Sequence, residues 1–188
     1  CGIKAQDFHA GLQSGIVPSQ ADGDEMTGFN KIGLTGGAFV ERDINEKFFL
    51  FTDLAFTMKG SRVASSKNID FNKIELTTNY IDWGLYAGYR LNDKISLKAG
   101  LIPSVLIYQK QMTAGGFESL YENPFRAFNL LFSGGANYRF SKHFSINASY
   151  NYSITSIRPG ELVIIDTHIG VSNAQYHHYL NFSLMYHF

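Results

Sequence analysis

Residues 179–188 read YLNFSLMYHF, and large apolar side chains alternate with smaller polar ones along this stretch. Alternation with a period of two residues is typical of a β-strand whose two faces meet different surroundings. The same alternation reaches back to Tyr176 and recurs elsewhere, as in SINASYNYS at 145–153. No long segment shows the 3.6-residue period of an amphipathic helix, so the pattern predicts an all-β protein.

The composition narrows the class of protein. The chain has 188 residues, of which 45% are hydrophobic and only 17% charged, whereas soluble domains average about 25% charged residues. The net charge is zero, and the absence of a basic excess argues against nucleic-acid binding. The sequence contains no run of about 20 apolar residues, so no transmembrane helix is predicted. A transmembrane barrel hides its hydrophobicity in alternation, and the mean hydropathy of −0.10 is compatible with that class.

Eight segments carry the alternation, and we predict one strand from each. Their connections alternate in length: those around Asn45, Asp93 and Lys142 are short and have typical hairpin-turn residues, whereas 18–28, 60–73, 109–124 and 158–175 are long. Short turns at one rim and long loops at the other are typical of transmembrane barrels. The predicted strands are Asp7 to Val17, Phe29 to Glu41, Phe48 to Lys59, Ile74 to Leu91, Ile95 to Tyr108, Phe125 to Phe140, Phe144 to Ile157 and Tyr176 to Phe188.

The two faces of these strands differ in bulk. One face is aromatic and aliphatic, and the other is rich in Gly, Ser and Asn. The interior of an eight-stranded barrel is barely wide enough for side chains, so we expect the bulky face to meet lipid and the small polar face to line the lumen. The alternative is a soluble barrel or sandwich with the faces reversed. Pro103 cannot donate to the ladder, so we predict a bulge there and leave the faces of 105–108 open.

Eight charged residues are expected to point inward. Both signs occur, and buried charges are costly unless paired, so we predict ion pairs across the lumen. Glu41 should lie near Arg90 or Arg139 at one end, and Asp53, Asp82 and Lys98 should form a deeper cluster. An open ion path is the alternative. The inward charged set is Lys31, Glu41, Asp53, Lys59, Asp82, Arg90, Lys98 and Arg139.

Aromatic residues concentrate near strand ends, which is typical of the interfacial belts of membrane barrels. Tyr150, Tyr152 and Tyr176 are expected toward the outer interface. The predicted girdle at the periplasmic interface comprises Phe8, Phe48, Tyr89, Phe140, Phe144, Tyr186 and Phe188.

The chain does not indicate an enzyme. Residues suited to lipid hydrolysis occur around the last loop, but no compact motif joins a nucleophile to a base. Metal binding by the histidines of this set lacks a convincing ligand spacing, and we predict no metal and no other cofactor. The residues concerned are Glu161, Asp166, His168, Ser172, His177 and His178.

The N-terminal residues 1–6 are interpreted as an exported segment, and residues 7–188 as a single barrel domain. Cys1 is either the lipidated first residue of a lipoprotein, or the segment is the remnant of a signal peptide that ends near Ala5. In the long loop 109–124, Phe117, Leu120 and Tyr121 are expected either to dock a partner or to pack over the barrel mouth.

Two stretches carry a resemblance to a known family. Residues 8–16, FHAGLQSGI, and 29–62, FNKIGLTGGAFVERDINEKFFLFTDLAFTMKGSR, resemble the PorT-type outer-membrane barrels. The matching positions are Gly37, Phe39 and Glu41 in the second strand and the pair Lys59–Gly60 at the end of the third. The resemblance implies an outer-membrane barrel like the OmpA and OmpX types. The founding member of the family is linked to type IX secretion.

We therefore predict a non-enzymatic outer-membrane barrel with a lumen plugged by side chains, acting as a structural or accessory subunit of a larger complex. The termini should be periplasmic and the long loops extracellular. Expected partners are outer-membrane lipids and lipopolysaccharide, other outer-membrane proteins, and the assembly machinery, which would read the terminal strand ending in Phe188. The alternatives are a small-solute, porin-like channel and a lipid-modifying enzyme.

Overall fold

A computed structural model describes residues 8–22, 31–62, 75–112, 125–157, 162–165, 168–171 and 176–188. All of its regular structure is extended. Within the described residues, no helix has the length and hydropathy needed to cross a bilayer. The strands are β1 (Phe8–Asp22), β2 (Lys31–Asp43), β3 (Phe48–Arg62), β4 (Glu75–Arg90), β5 (Ile95–Met112), β6 (Phe128–Arg139), β7 (Phe144–Ser153), β8 (Leu162–Ile165), β9 (His168–Val171) and β10 (Tyr176–His187).

Eight of these strands form a closed barrel in the order β1-β10-β7-β6-β5-β4-β3-β2. Every neighbouring pair is antiparallel. The barrel closes where β10 pairs with β1, from Gly11↔His187 to Asp22↔Tyr176. The prediction of an eight-stranded, antiparallel, up-and-down barrel is confirmed, including the role of the 179–188 stretch in its closing strand.

The strand ends differ from the predictions by a few residues. β1 continues to Asp22 rather than ending at Val17, and β5 continues to Met112. β7 ends at Ser153 rather than Ile157. Within the predicted loop 158–175, LVII (β8) and HIGV (β9) pair as a separate two-stranded sheet. Both segments are rich in β-branched residues, which favour extended backbone.

The three short connections are tight turns, and local side-chain hydrogen bonds hold two of them. Asn45 Oδ1 accepts from the backbone N–H of Lys47 at 2.9 Å and of Phe48 at 2.8 Å. Asn92 accepts in the same way from Lys94 and Ile95. An Asn side chain that replaces a backbone acceptor is the usual reason for Asn at such turns. We call the end of the barrel with these turns the turn end, and the opposite end the loop end.

The predicted bulge at Pro103 is wrong. Pro103 pairs with Leu130 of β6 without a change of register. The register between β4 and β5 instead shifts next to Asn79 and Tyr80, which pair with Tyr108 and Leu106 and leave Ile107 as the extra residue. Ile107 and Tyr108 consequently both face outward, with exposed fractions of 53% and 49%.

The wall of the barrel is apolar on the outside. Alternate residues of β7 are exposed and buried along its whole length. Trp83 on β4, Phe132 on β6 and Phe182 on β10 are among the exposed large apolar side chains. An outward apolar surface flanked by aromatic residues is the arrangement that lipid requires.

Candidate functional site in the lumen and at the turn end

The lumen is asymmetric. Large side chains reach into it from β2 to β5 and from β10, whereas β6 and β7 contribute mainly small polar residues. Ser133, Asn147 and Asn151 are examples of the small, fully buried wall. The bulk of one half therefore fills the space that the other half leaves open. Buried aromatic residues in the lumen are Phe39, Phe49, Phe51, Tyr80, Tyr86 and Tyr179.

A buried ion pair occupies the half of the lumen nearer the loop end. Lys59 Nζ donates to Asp82 Oδ1 at 2.8 Å and to Ser104 Oγ at 3.2 Å. Ser104 also donates to Asp82, and the hydroxyl of Tyr179 donates to Asp82 Oδ2 at 3.3 Å. Lys59 further lies over the rings of Tyr80 and Tyr179, at 4.5 and 4.8 Å from their centroids. Both charges are thus paired and hydrogen-bonded, as buried ions must be.

In the middle of the lumen, the carboxylate of Asp53 and the amine of Lys98 have different direct partners. Asp53 Oδ2 accepts from Gln13 Nε2 at 2.7 Å, and Asp53 Oδ1 accepts from the backbone N–H of Gly84 at 3.0 Å. Lys98 Nζ lies over the rings of Phe51 at 3.9 Å and Tyr86 at 4.9 Å. Within the described chain, no carboxylate forms an ion pair with Lys98. The faces of two aromatic rings contact this cation directly, and the carboxylates of Asp53 and Glu41 act on it at longer range.

An arginine bridges two acidic residues at the turn end. Arg90 Nη2 donates to both Glu41 Oε1 and Asp43 Oδ1. Its guanidinium lies 4.8 Å from the centroid of Phe49. Asp43 also lies 3.5 Å from Nε2 of His9. Glu41 lies near the end of β2 and Arg90 at the end of β4, with β3 between them, so these charges close the lumen at this rim.

The remaining inward charges are placed as follows. Lys31 is buried and donates to Thr77 near the loop end. Arg139 is half-buried at the turn end, next to Ser145 of β7. Glu41 pairs with Arg90, one of the two partners considered for it. Asp53 interacts electrostatically with both Lys98 and Asp82, as expected for a deeper cluster, but the direct contacts differ, because Asp82 binds Lys59 and Lys98 lies over aromatic rings.

Most aromatic residues of the lumen were not predicted from the sequence, because large side chains were expected to face lipid and small ones the interior. The period-two count that marks Glu41 and Asp53 as inward also marks Phe39 and Phe51, two residues earlier on each strand. The signal was therefore present in the alternation, and the size argument overrode it. Large residues fit because they face the Ser, Asn and Gly wall across the lumen.

Several buried polar atoms of the lumen have no protein partner. At the turn end these include Asn137 Oδ1, Asn147 Oδ1 and His187 Nδ1. Toward the loop end they include the hydroxyl of Tyr80 and Nδ1 of His177. Buried polar groups without protein partners usually bind water. These atoms identify two polar spaces suited to bound water, one at each end of the aromatic layer.

The histidine pair near the last loop is divided between the two faces. His177 is fully buried in the lumen, where its Nε2 lies 3.3 Å from Thr78 Oγ1. His178 faces outward between Tyr150 and Tyr152, with ring centroids 6.4 and 6.3 Å away. Among the described residues, no three His, Cys, Asp or Glu side chains group together as metal ligands. Adjacent strand residues point apart, so these two histidines do not act on one substrate atom.

Aromatic side chains surround the outside of the turn end. Phe144 contacts Phe140 at 6.2 Å and Tyr186 at 5.3 Å, and Tyr186 contacts Phe188 at 5.9 Å between ring centroids. Phe48 and Tyr89 form a separate pair at 5.1 Å. All seven residues of the predicted girdle lie at this end, where only Tyr89 is half-buried and the rest, including Phe8, are exposed. Tyr152 and Tyr176 stack near the loop end.

Two groups of predicted residues lie outside the described part of the chain. These are Cys1 at the N-terminus and the loop residues Phe117, Leu120 and Tyr121. The same holds for Glu161, Asp166 and Ser172, and for the side chain of His168.

Comparisons with known proteins agree with the geometry. Residues 4–158 match the model of a family described as outer membrane protein β-barrel domain. One similar solved structure is that of Ail, the attachment invasion locus protein of Yersinia pestis, in complex with the heparin analogue sucrose octasulfate. It has a TM-score of 0.56 at 16% identity, and the match covers 97% of this chain and 99% of that chain. Neisserial surface protein A has a TM-score of 0.52 at 12% identity, covering 96% and 97%. At these identities the two structures establish likeness of fold alone. No curated protein has a significant match to the sequence.

Proposed function

The chain belongs to the outer membrane protein β-barrel domain family, and we propose that it is a non-enzymatic, non-conducting barrel that serves as a structural or accessory subunit of an outer-membrane complex. In this role the lumen gives the barrel rigidity, and the wall, rims and loops contact other molecules. The resemblance to PorT-type barrels supports an accessory role, including one in protein secretion.

The observation that carries this proposal is the filling of the lumen by three successive layers. Arg90, Glu41 and Asp43 close the turn end. Lys98, Phe51 and Tyr86 fill the middle, and Lys59 with Asp82 lies toward the loop end. An ion crossing this lumen would have to displace a charge from its partner at two of the three levels, at a cost of several kcal/mol each, on the order of that for breaking a buried ion pair.

The proposed orientation places the turn end in the periplasm and the loop end outside the cell. Short turns on the periplasmic side and longer loops outside are the rule for barrels of this kind. The loop containing Phe117, Leu120 and Tyr121 would then be available to an extracellular or lateral partner. Nothing in the lumen layers suits a substrate site, which supports a non-enzymatic role.

Planar-bilayer conductance tests the non-conducting lumen. Folded protein, identified by the heat-dependent shift of its mobility on a denaturing gel, is inserted at increasing protein-to-lipid ratios. We expect no steady current that scales with the number of inserted barrels. A steady, ion-selective current from folded protein would contradict the proposal and favour the small-solute channel.

Purification from native membranes in mild detergent tests the role as a subunit. We expect the protein to elute as part of a larger assembly, and mass spectrometry of that assembly would identify its partners. Elution as a lone monomer would contradict the subunit role and leave the filled lumen unaffected.

An assay for lipid A deacylation tests the non-enzymatic assignment. Deacylation of added lipid A that is lost in His177→Ala would contradict that assignment.

A further inference from the structure

The outer wall at the turn end contains a groove with a volume of about 430 Å³. The groove crosses β1 to β4 on the side that faces lipid. Thr52 lies at its centre, between Val40 on β2 and Leu85 on β4, with which it pairs. Because Thr52 is smaller than its neighbours, the wall is indented at this point. Phe51 and Tyr86, which point into the lumen, complete the lining of Phe8, Val40, Arg42, Leu50, Thr52 and Leu85.

The groove is apolar along its length and carries a positive charge at one end. The hydroxyl of Thr52 at its centre is satisfied, because Thr52 Oγ1 accepts from Trp83 Nε1 at 3.0 Å. Arg42 lines the end nearest the turns, where its guanidinium lies 5.7 Å from the centroid of Phe8. Arg42 is exposed, and within the described chain it has no ion pair with a carboxylate.

The level of Arg42 in the membrane is set by the aromatic girdle. Arg42 pairs directly with Phe8, and Leu50 next to it pairs with Ala87, two residues before Tyr89. Girdle residues lie at the level of lipid headgroups. A guanidinium at this level meets phosphate groups, with which arginine forms strong, often bidentate hydrogen bonds. The groove extends from that position toward the hydrocarbon.

From this arrangement we propose that the groove binds one glycerophospholipid, with the phosphate on Arg42 and an acyl chain along Leu50, Thr52, Val40 and Leu85. The assignment of that lipid to the periplasmic leaflet rests on the proposed orientation. The binding site itself rests only on the lipid-facing wall. Charge complementarity selects the occupant, because an apolar groove that ends in an exposed guanidinium matches a molecule with an acyl chain and an anionic head.

Native mass spectrometry of the folded protein, released from non-ionic detergent micelles, measures the bound lipid directly. Three probes separate the two halves of the ligand: phosphatidylglycerol, diacylglycerol with the same acyl chains, and glycerol phosphate without chains. We expect one phosphatidylglycerol per barrel, bound about tenfold more tightly than diacylglycerol, the ratio expected for one charge-assisted hydrogen bond. Glycerol phosphate binding as tightly as phosphatidylglycerol would overturn the acyl groove.

Two variants and a matched control test the assigned residues. Arg42→Gln should reduce phosphatidylglycerol binding about tenfold, to the level of diacylglycerol. Thr52→Leu fills the indentation and should weaken both lipids several-fold while Arg42 is retained. Lys94→Gln removes the same charge from another turn-end hairpin and should leave binding unchanged.

Unchanged phosphatidylglycerol binding in Arg42→Gln, or an equal loss in Lys94→Gln, would overturn the headgroup assignment, and unchanged binding in Thr52→Leu would overturn the groove. Folding of each variant is checked by gel mobility, and Thr52→Leu still decides the question if Arg42→Gln does not fold. Because these measurements use micelles, they do not depend on orientation or conductance. A failure here is therefore distinct from a failure of the proposed function.

Discussion

Lys59 and Lys98 are both buried cations, yet they are stabilised in different ways. Lys59 has a carboxylate, a hydroxyl and two aromatic rings within reach. Lys98 has only the ring faces of Phe51 and Tyr86 as close partners among the described side chains. A cation–π contact to a desolvated lysine contributes about 2 kcal/mol, less than breaking a buried ion pair costs. Loss of the carboxylate partner of Lys59 should therefore lower the free energy of unfolding more than loss of a ring contact of Lys98.

Replacing Asp82 by Asn should destabilise the barrel by about 3 kcal/mol, because it leaves the charge of Lys59 buried and unpaired. Asn keeps one acceptor oxygen for Ser104, and its amide N–H can donate to the hydroxyl oxygen of Tyr179, so the loss reports mainly on the charge. The measurement is the free energy of unfolding by urea in lipid vesicles.

The double variant Lys59→Met with Asp82→Asn provides the control for this prediction. Because it also removes the unpaired charge, it should regain at least half of the lost stability. A double variant less stable than Asp82→Asn alone would show that the charges do not interact as described.

At the scale of the strands, glycines on the lumen side allow large side chains from neighbouring strands to cross. A Cβ at Gly88 on β4 would lie 2.0 Å from the ring of Phe49 on β3. Phe49 is buried, and its ring is the one against which Arg90 lies at the turn end. The absence of a side chain at position 88 therefore positions Phe49 and, through it, the arginine that closes the rim.

Gly88→Ala should lower the free energy of unfolding by about 1–3 kcal/mol, since overpacking forces Phe49 out of place. Gly134→Ala on β6 is the matched control, because its Cβ would meet nothing nearer than Phe132 at 3.9 Å, on the outer face. We expect that control to stay within about 0.5 kcal/mol of the parent protein. Equal stability of the two variants in urea unfolding would contradict a tight fit at Gly88.

At the scale of the whole molecule, the barrel has two distinct rims. One is closed by tight turns and surrounded by aromatic side chains, and the other carries the long connections and the β8–β9 hairpin. The proposed orientation assigns these rims to opposite sides of the outer membrane. That assignment decides which leaflet the groove at Arg42 meets and which partners reach the loops.

Cysteine labelling in intact cells tests the orientation. In a Cys1→Ser background, Gly170→Cys in the β8–β9 hairpin should react with a membrane-impermeant maleimide. Asp93→Cys in the turn between β4 and β5 should react only after the outer membrane is permeabilised. The reverse pattern would invert the orientation and move the proposed lipid site to the outer leaflet.

The sequence predicted the fold well because alternate residues of each barrel strand face two different environments, lipid and lumen. The strands, their order along the chain and the lipid-facing positions such as Trp83 and Phe182 follow from that period. The bulge at Ile107 was not predictable, because a one-residue shift depends on how β4 and β5 slide past each other. Pro103, where the bulge was predicted, pairs with Leu130 of β6 without a change of register.

The inward position of Lys59, Asp82, Asp53 and Lys98 followed from the alternation, but their pairing did not. Alternation determines which side of the wall a residue faces, because successive side chains of a strand point to opposite sides. It carries no information on which residues from distant strands share a level, since that depends on strand tilt and stagger in the closed barrel. The sequence by itself therefore determined a lipid-facing barrel with a charged lumen. Only the tertiary structure decided that Lys59 meets Asp82, that Lys98 meets two aromatic rings, and that Arg42 ends a groove, because each of these contacts joins different strands.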